Sequence, residues 1–237
     1  MKKFRKLVPA LCMLLVSAVL MGTSTYAWFS MNKNVVADGM AVTAKSDVAW
    51  LQISNNAGAS TDANKTAATA DTASATVYPA KYNGTAGSDV WQYAYSNDPD
   101  QSTASGGYFT VADGDKGNYR LENTFKIGLK ATEEKTAKAA NLKVKTCKVT
   151  GTSEFLDAIG IVVVCGTNVQ EIKANGQATG VEWSITGATV LLADVTETAA
   201  DVKVYVYIDG DNGNVTTTKA TKANLSAISV TLTFGVD

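Results

Sequence analysis

Two stretches in the last third of the chain alternate apolar and polar residues one for one. Val202, Val204, Val206 and Ile208 alternate with Lys203, Tyr205 and Tyr207; Ile228, Val230, Leu232 and Phe234 alternate with Ser229, Thr231 and Thr233. A period of two places every apolar side chain on one face of an extended strand and does not suit a helix, whose period is 3.6. The pattern recurs where Phe125, Ile127 and Leu129 alternate with Lys126, Gly128 and Lys130. It recurs again where Leu142, Val144 and Thr146 alternate with Lys143, Lys145 and Cys147. Strands with one apolar and one charged face predict a sheet packed on one side only. The run IVVVC at 161–165 is apolar on both faces and predicts a central strand.

The remaining segments fit the same class. Residues 28–31 form a short strand, Lys33-Asn34 a polar break, and residues 35–44 a half-buried strand with Met40, Val42 and Ala44 on one face. Residues 48–54, VAWLQIS, have high β propensity. Residues 55–76 are dominated by Ala, Thr, Ser and Asp and hold no large apolar residue, which predicts a mobile surface insertion without a core. Residues 77–119 form a second, aromatic and turn-rich insertion with Tyr78, Tyr82, Trp91, Tyr93, Tyr95, Tyr108 and Phe109. Three uses are open to it: a cap on the end of a sandwich, a face for sugars or proteins, or a contact with a neighbouring subunit. Further on, ATEEKTAKAAN has room for one helical turn and 154–159 for a short helix capped by Ser153. Trp183 with Ile185, and residues 190–192, add two more strands. The expected fold is an all-β, jelly-roll or immunoglobulin-like antiparallel β-sandwich, a single domain over 28–237 preceded by a signal-peptide helix.

The N-terminus reads as an export signal. Lys2, Lys3, Arg5 and Lys6 precede an apolar run from Leu7 to Met21, shorter than the about 20 residues that span a bilayer as a helix. Thr25-Tyr26-Ala27 places small residues at the minus-three and minus-one positions of a peptidase site, so cleavage is expected between Ala27 and Trp28. The alternative is an uncleaved tether, although nothing basic follows to stop transfer. Cys12 lies inside the apolar run, not at its end, which argues against a lipoprotein cut. The C-terminus carries no LPxTG-like signal, so covalent wall anchoring is not expected.

TYAWFSMN followed by NVVADGMAVTA resembles the SipW-dependent secreted proteins of Gram-positive bacteria, the group of the TasA and camelysin matrix proteins. Phe29 takes the position of their Phe one residue past the cut, and Val36, Gly39, Met40 and Val42 follow their strand pattern. The likeness is specific over 22–44, weaker at VYVYIDGD and AISVTLTF, and absent between. WFSMN replaces the shorter, more acidic junction of the best-known members and is closer to clostridial relatives with the same junction. The resemblance implies a secreted biofilm-matrix protein, processed by a SipW-like signal peptidase. It also implies a homopolymer in which the strand at Trp28, Phe29, Ser30 and Met31 inserts into the next subunit.

Charge and residue inventory narrow the chemistry. Cleavage removes 27 of 237 residues and four of 21 basic ones, leaving 17 basic against 22 acidic residues, a net charge of −5. That balance disfavours nucleic acid and anionic membranes as partners. The chain has no histidine, which excludes the Ser-His-Asp triad, the Cys-His dyad and histidine-ligated zinc. Relatives of the camelysin type have been classed as proteases, yet HExxH and G-x-S-x-G are both missing, and Glu133 and Glu134 read as surface charge. No cofactor and no enzymatic activity are therefore expected.

Two details stay open. Cys147 and Cys165 are a candidate disulfide whose loop would contribute roughly 3 kcal/mol, or a pair of buried thiols on neighbouring strands. The repeat D-G-D-x-G-N at 113–118 and 209–214 offers Asp113, Asp115, Asp209 and Asp211 as weak calcium candidates, but each loop lacks an EF-hand's third acidic ligand and distal glutamate, and a hairpin turn explains the same residues without an ion. Two functions follow as expectations: a fibre-forming structural protein of the cell surface or matrix, or a monomeric adhesion module using its aromatic face.

Overall fold

The computed structural model describes residues 40–46, 51–55, 67–72, 76–85, 88–94, 108–129, 139–216 and 222–236. The signal peptide, its cleavage site at Ala27 and Trp28, the strand at Phe29, Ser30 and Met31, and the connection holding Glu133 and Glu134 lie outside the described residues.

Among the described residues sixteen strands follow one another: β1 (Met40–Ser46), β2 (Leu51–Asn55), β3 (Ala67–Thr72), β4 (Thr76–Val77), β5 (Lys81–Tyr82), β6 (Trp91–Ala94), β7 (Tyr108–Thr110) and β8 (Leu121–Leu129). Then come β9 (Ala139–Gly151), β10 (Ile159–Cys165), β11 (Asn168–Lys173), β12 (Trp183–Ser184), β13 (Leu192–Val195), β14 (Ala200–Ile208), β15 (Ala223–Asn224) and β16 (Ile228–Gly235). The first sheet has the order β12-β9-β16-β1-β3 with β13 also on β9, and the second the order β11-β10-β14-β8-β2. All-β is therefore the class, as the alternation predicts. The pairing is antiparallel throughout the two sheets except between β1 and β16, which run parallel.

The two sheets face each other across one apolar core. Met40, Val42 and Ala44 of β1 and Val230, Leu232 and Phe234 of β16 meet Phe125 and Ile127 of β8, Ile161 and Val163 of β10, and Val204 and Val206 of β14. Each set is every second residue of its strand, so the alternation is the cause of the sandwich.

Four local expectations are corrected. β9 does not keep strict alternation. Thr233 pairs with Thr146 but Phe234 with Val144, so Lys145 is an extra residue, and this bulge turns Cys147, not Thr146, into the core. The stretch expected to be a coreless insertion supplies β3, an edge strand whose Ala68 and Ala70 pack against the core. Small side chains suffice there because the edge of a sandwich is thin. Around Ser153 only Leu156–Ala158 is helical, and the Ser153 hydroxyl accepts the Phe155 N–H in a local turn, without capping the helix. Finally, Cys147 and Cys165 are both free and buried in strands of opposite sheets, so neither a bridge nor neighbouring strands describes them.

Candidate binding surface

The aromatic insertion covers a face of the sandwich and not its end. β5, β6 and β7 form a small sheet of their own, and Ala80, Tyr82, Trp91 and Val111 close over Val162, Tyr205 and Tyr207 on the outer side of β10 and β14. This third layer explains why β10 is apolar on both faces and why β14 places tyrosines opposite its valines. Trp91 is fully buried at the centre, 5.0 Å from the Tyr207 ring and 5.9 Å from Tyr205, both edge-on, and 5.1 Å from Tyr82.

Polar contacts pin the layer down. Ala80 donates its N–H to Ile208 at 2.9 Å and accepts that of Gly210 at 2.8 Å, which continues β14 sideways into the insertion. Asp89 gathers three donors: the Trp91 indole at 2.7 Å, Arg120, and Lys116 at 3.2 Å. Burial alone raises its pKa, but the Arg120, Trp91 and Lys116 contacts outweigh that and hold the carboxyl below its ordinary value. The Arg120 guanidinium lies 4.0 Å from the Tyr205 ring and 5.3 Å from that of Trp91, a cation held between two aromatic faces. Beneath it Tyr207 donates to Glu171 at 2.6 Å, and burial pushes its phenol far above the usual range.

Three of the four aspartates of the repeated loops are engaged by lysines. Asp209 is buried and ion-paired with Lys173 at 2.8 Å. Asp211 pairs with Lys81 at 2.8 Å and accepts the Tyr108 hydroxyl at 2.6 Å. Asp113 pairs with Lys116 at 2.8 Å, and Asp115 is exposed in the same 3-10 helix, Asp113–Asn118. Neither loop is a hairpin turn: the first is that helix, and the second is held by Asp209 and Asn212 side chains accepting the N–H groups of Asp211 and Asn214. Among the described residues no three carboxylate, thiol or imidazole groups converge as a metal site would need.

What the layer turns outward is a row of rings. Phe109 stacks on Tyr93 at 5.5 Å, Tyr93 on Tyr119 at 5.7 Å, and Tyr119 meets Tyr78 at 5.8 Å. Lys81 lies 4.5 Å above the neighbouring Tyr108 ring. The sequence named most of these residues but not which are buried and which face solvent. Tyr119 and Arg120, at the margin of the insertion, carried no signal of their own. Comparison of the chain with known protein families, with curated proteins and with solved structures finds no match.

Proposed function

We propose that the chain is an exported, non-enzymatic structural protein of the cell surface or extracellular matrix, assembling through the segment just after Ala27. The observation that carries this reading is an all-β sandwich with an open sheet edge: among the described residues β11 ends the second sheet and pairs with no strand but β10. An edge of this kind takes up a strand from a second copy, with main-chain hydrogen bonds for affinity and alternate side chains for register. Such a head-to-tail contact does not close on itself and propagates a filament. The resemblance at residues 22–44 supports the same reading, with a SipW-like peptidase as the processing partner. Electron microscopy of the purified mature chain over a range of concentrations tests it: filaments are expected, and a monomer at every concentration contradicts it.

A second reading, a surface-binding module, is favoured by one specific observation, the outward row of rings on the third layer. The two readings are compatible, since assembly uses the N-terminal segment and binding the layer over β10 and β14.

A further inference from the structure

We infer that the row Phe109, Tyr93, Tyr119 and Tyr78 is a binding site for a neutral polysaccharide chain. The inference rests on the surface-binding reading and names its ligand class; it does not depend on filament assembly.

Exposed large apolar residues are ordinarily scattered singly, and a cluster of them marks a surface with a use. Among the described residues five are exposed, and three of them, Tyr78, Tyr93 and Phe109, belong to this one row. By strand alternation Tyr93 shares a face with Trp91, and Phe109 with Val111, yet Trp91 and Val111 are buried while Tyr93 and Phe109 are 38 % and 42 % exposed. The row thus continues the buried cluster out past the edge of what it covers. The sandwich alone gains nothing from that extension.

Size and charge select the occupant. Three side chains, each about two-fifths exposed, offer roughly 250 Å² of aromatic surface, whereas one side of a stable protein interface covers about 800 Å². The rings follow one another at 5.5, 5.7 and 5.8 Å, a succession that suits a linear chain. Its border is close to electrically neutral: Lys116 is matched by Asp89 and Asp113, and Lys222, 5.9 Å from the Tyr78 ring, is offset by Asp115 beside Tyr119. A polyanion gains nothing from such a border. A neutral sugar does gain from it, placing its C–H faces on the rings and its hydroxyls on the phenols. The rings are also held in place beforehand, since their layer is tied to β14 through Ala80 and to Asp211 through Lys81 and Tyr108.

The test is retention of the mature chain, at concentrations below assembly, on a panel of insoluble neutral polysaccharides (cellulose, chitin, a β-1,3-glucan), with heparin-agarose as the polyanion. Sedimentation is measured on the same samples. Binding to at least one neutral polysaccharide is expected, weakened about tenfold or more by Tyr93→Ala with Phe109→Ala and separately by Tyr78→Ala. Val181→Ala, an exposed residue elsewhere, should change nothing. Circular dichroism establishes that each variant is folded, and Tyr78→Ala, in a different strand connection, keeps the test decisive if the double variant disturbs β6 and β7. Retention on none of the neutral polymers, retention on heparin alone, equal retention by the ring variants, or a changed sedimentation coefficient in them would each overturn the inference. None of these outcomes depends on whether filaments form, so the assembly reading stands or falls separately.

Discussion

Gly160 lies directly opposite Tyr207 across the ladder between β10 and β14, and the Tyr207 ring fills the space a side chain on Gly160 would need. The ring is fully buried and holds Trp91 edge-on at 5.0 Å, so this missing side chain lets the third layer close. Gly160→Ala is expected to destabilise the protein by about 1–3 kcal/mol, the usual cost of overpacking a filled site. Denaturant melts check this, with Gly213→Ala, where a side chain meets open space, as the control. Equal stability of Gly160→Ala and the parent would contradict the packing described.

Trp91→Ala is expected to cost about 3–5 kcal/mol, in the range for deleting a buried aromatic. The loss should fall first on the third layer, because Trp91 belongs to the outer cluster and not to the core between the sheets. Limited proteolysis checks it: cleavage should begin within 77–119 while the far-ultraviolet circular dichroism of the sandwich persists. Cleavage beginning instead in β14 or β16 would count against a separable layer.

Asp89 makes the layer acid-sensitive. Its folded pKa is depressed, so the stability it contributes is complete above the unfolded value of about 3.9 and is lost as pH falls through the lower, folded value. Asp211, depressed in the folded state because Lys81 and Tyr108 outweigh its burial, acts in the same direction at the other edge of the layer. Near-ultraviolet circular dichroism followed below about pH 5 should show the aromatic signal weakening, and Asp89→Asn should already be weakened at neutral pH with a shallower acid dependence. An acid transition identical in the variant would remove Asp89 from the account.

The cysteines give a chemical check. Burial pushes the Cys147 thiol up to about 12, and Glu182 adds to the effect, so it carries almost no thiolate at neutral pH. Native Cys147 is expected to resist alkylation, and the denatured mature chain to take two alkyl groups without prior reduction. A mature mass lower by two hydrogen atoms, with no alkylation before reduction, would mean the thiols are bridged.

How far the sequence could be read depended on side-chain size and on distance along the chain. β14 and β16 were plain because Val204 and Val230 are large and their polar neighbours regular. β3 escaped because Ala68 and Ala70 are too small to register as a buried face, and the turn of β9 was hidden by one inserted residue, Lys145. β10 was recognised as a central strand, but not what covers its second face, since Trp91 and Tyr207 meet only through tertiary packing. The parallel pairing of β1 with β16 joins opposite ends of the chain, and no local pattern reports it. For the same reason the aspartates at 209 and 211 read only as a turn or weak calcium candidates: their lysine partners Lys173 and Lys81 are remote in sequence.

The central claim, that the strand released after Ala27 joins one subunit to the next, is tested most directly by deleting residues 28–32 from the mature chain. Assembly of the two proteins is then compared by electron microscopy and sedimentation, with circular dichroism to follow folding. The expected result is filaments from the mature chain and a folded monomer from the truncated one. Equal assembly by both, or a truncated chain that no longer folds because 28–32 completes its own sheet, would contradict the claim.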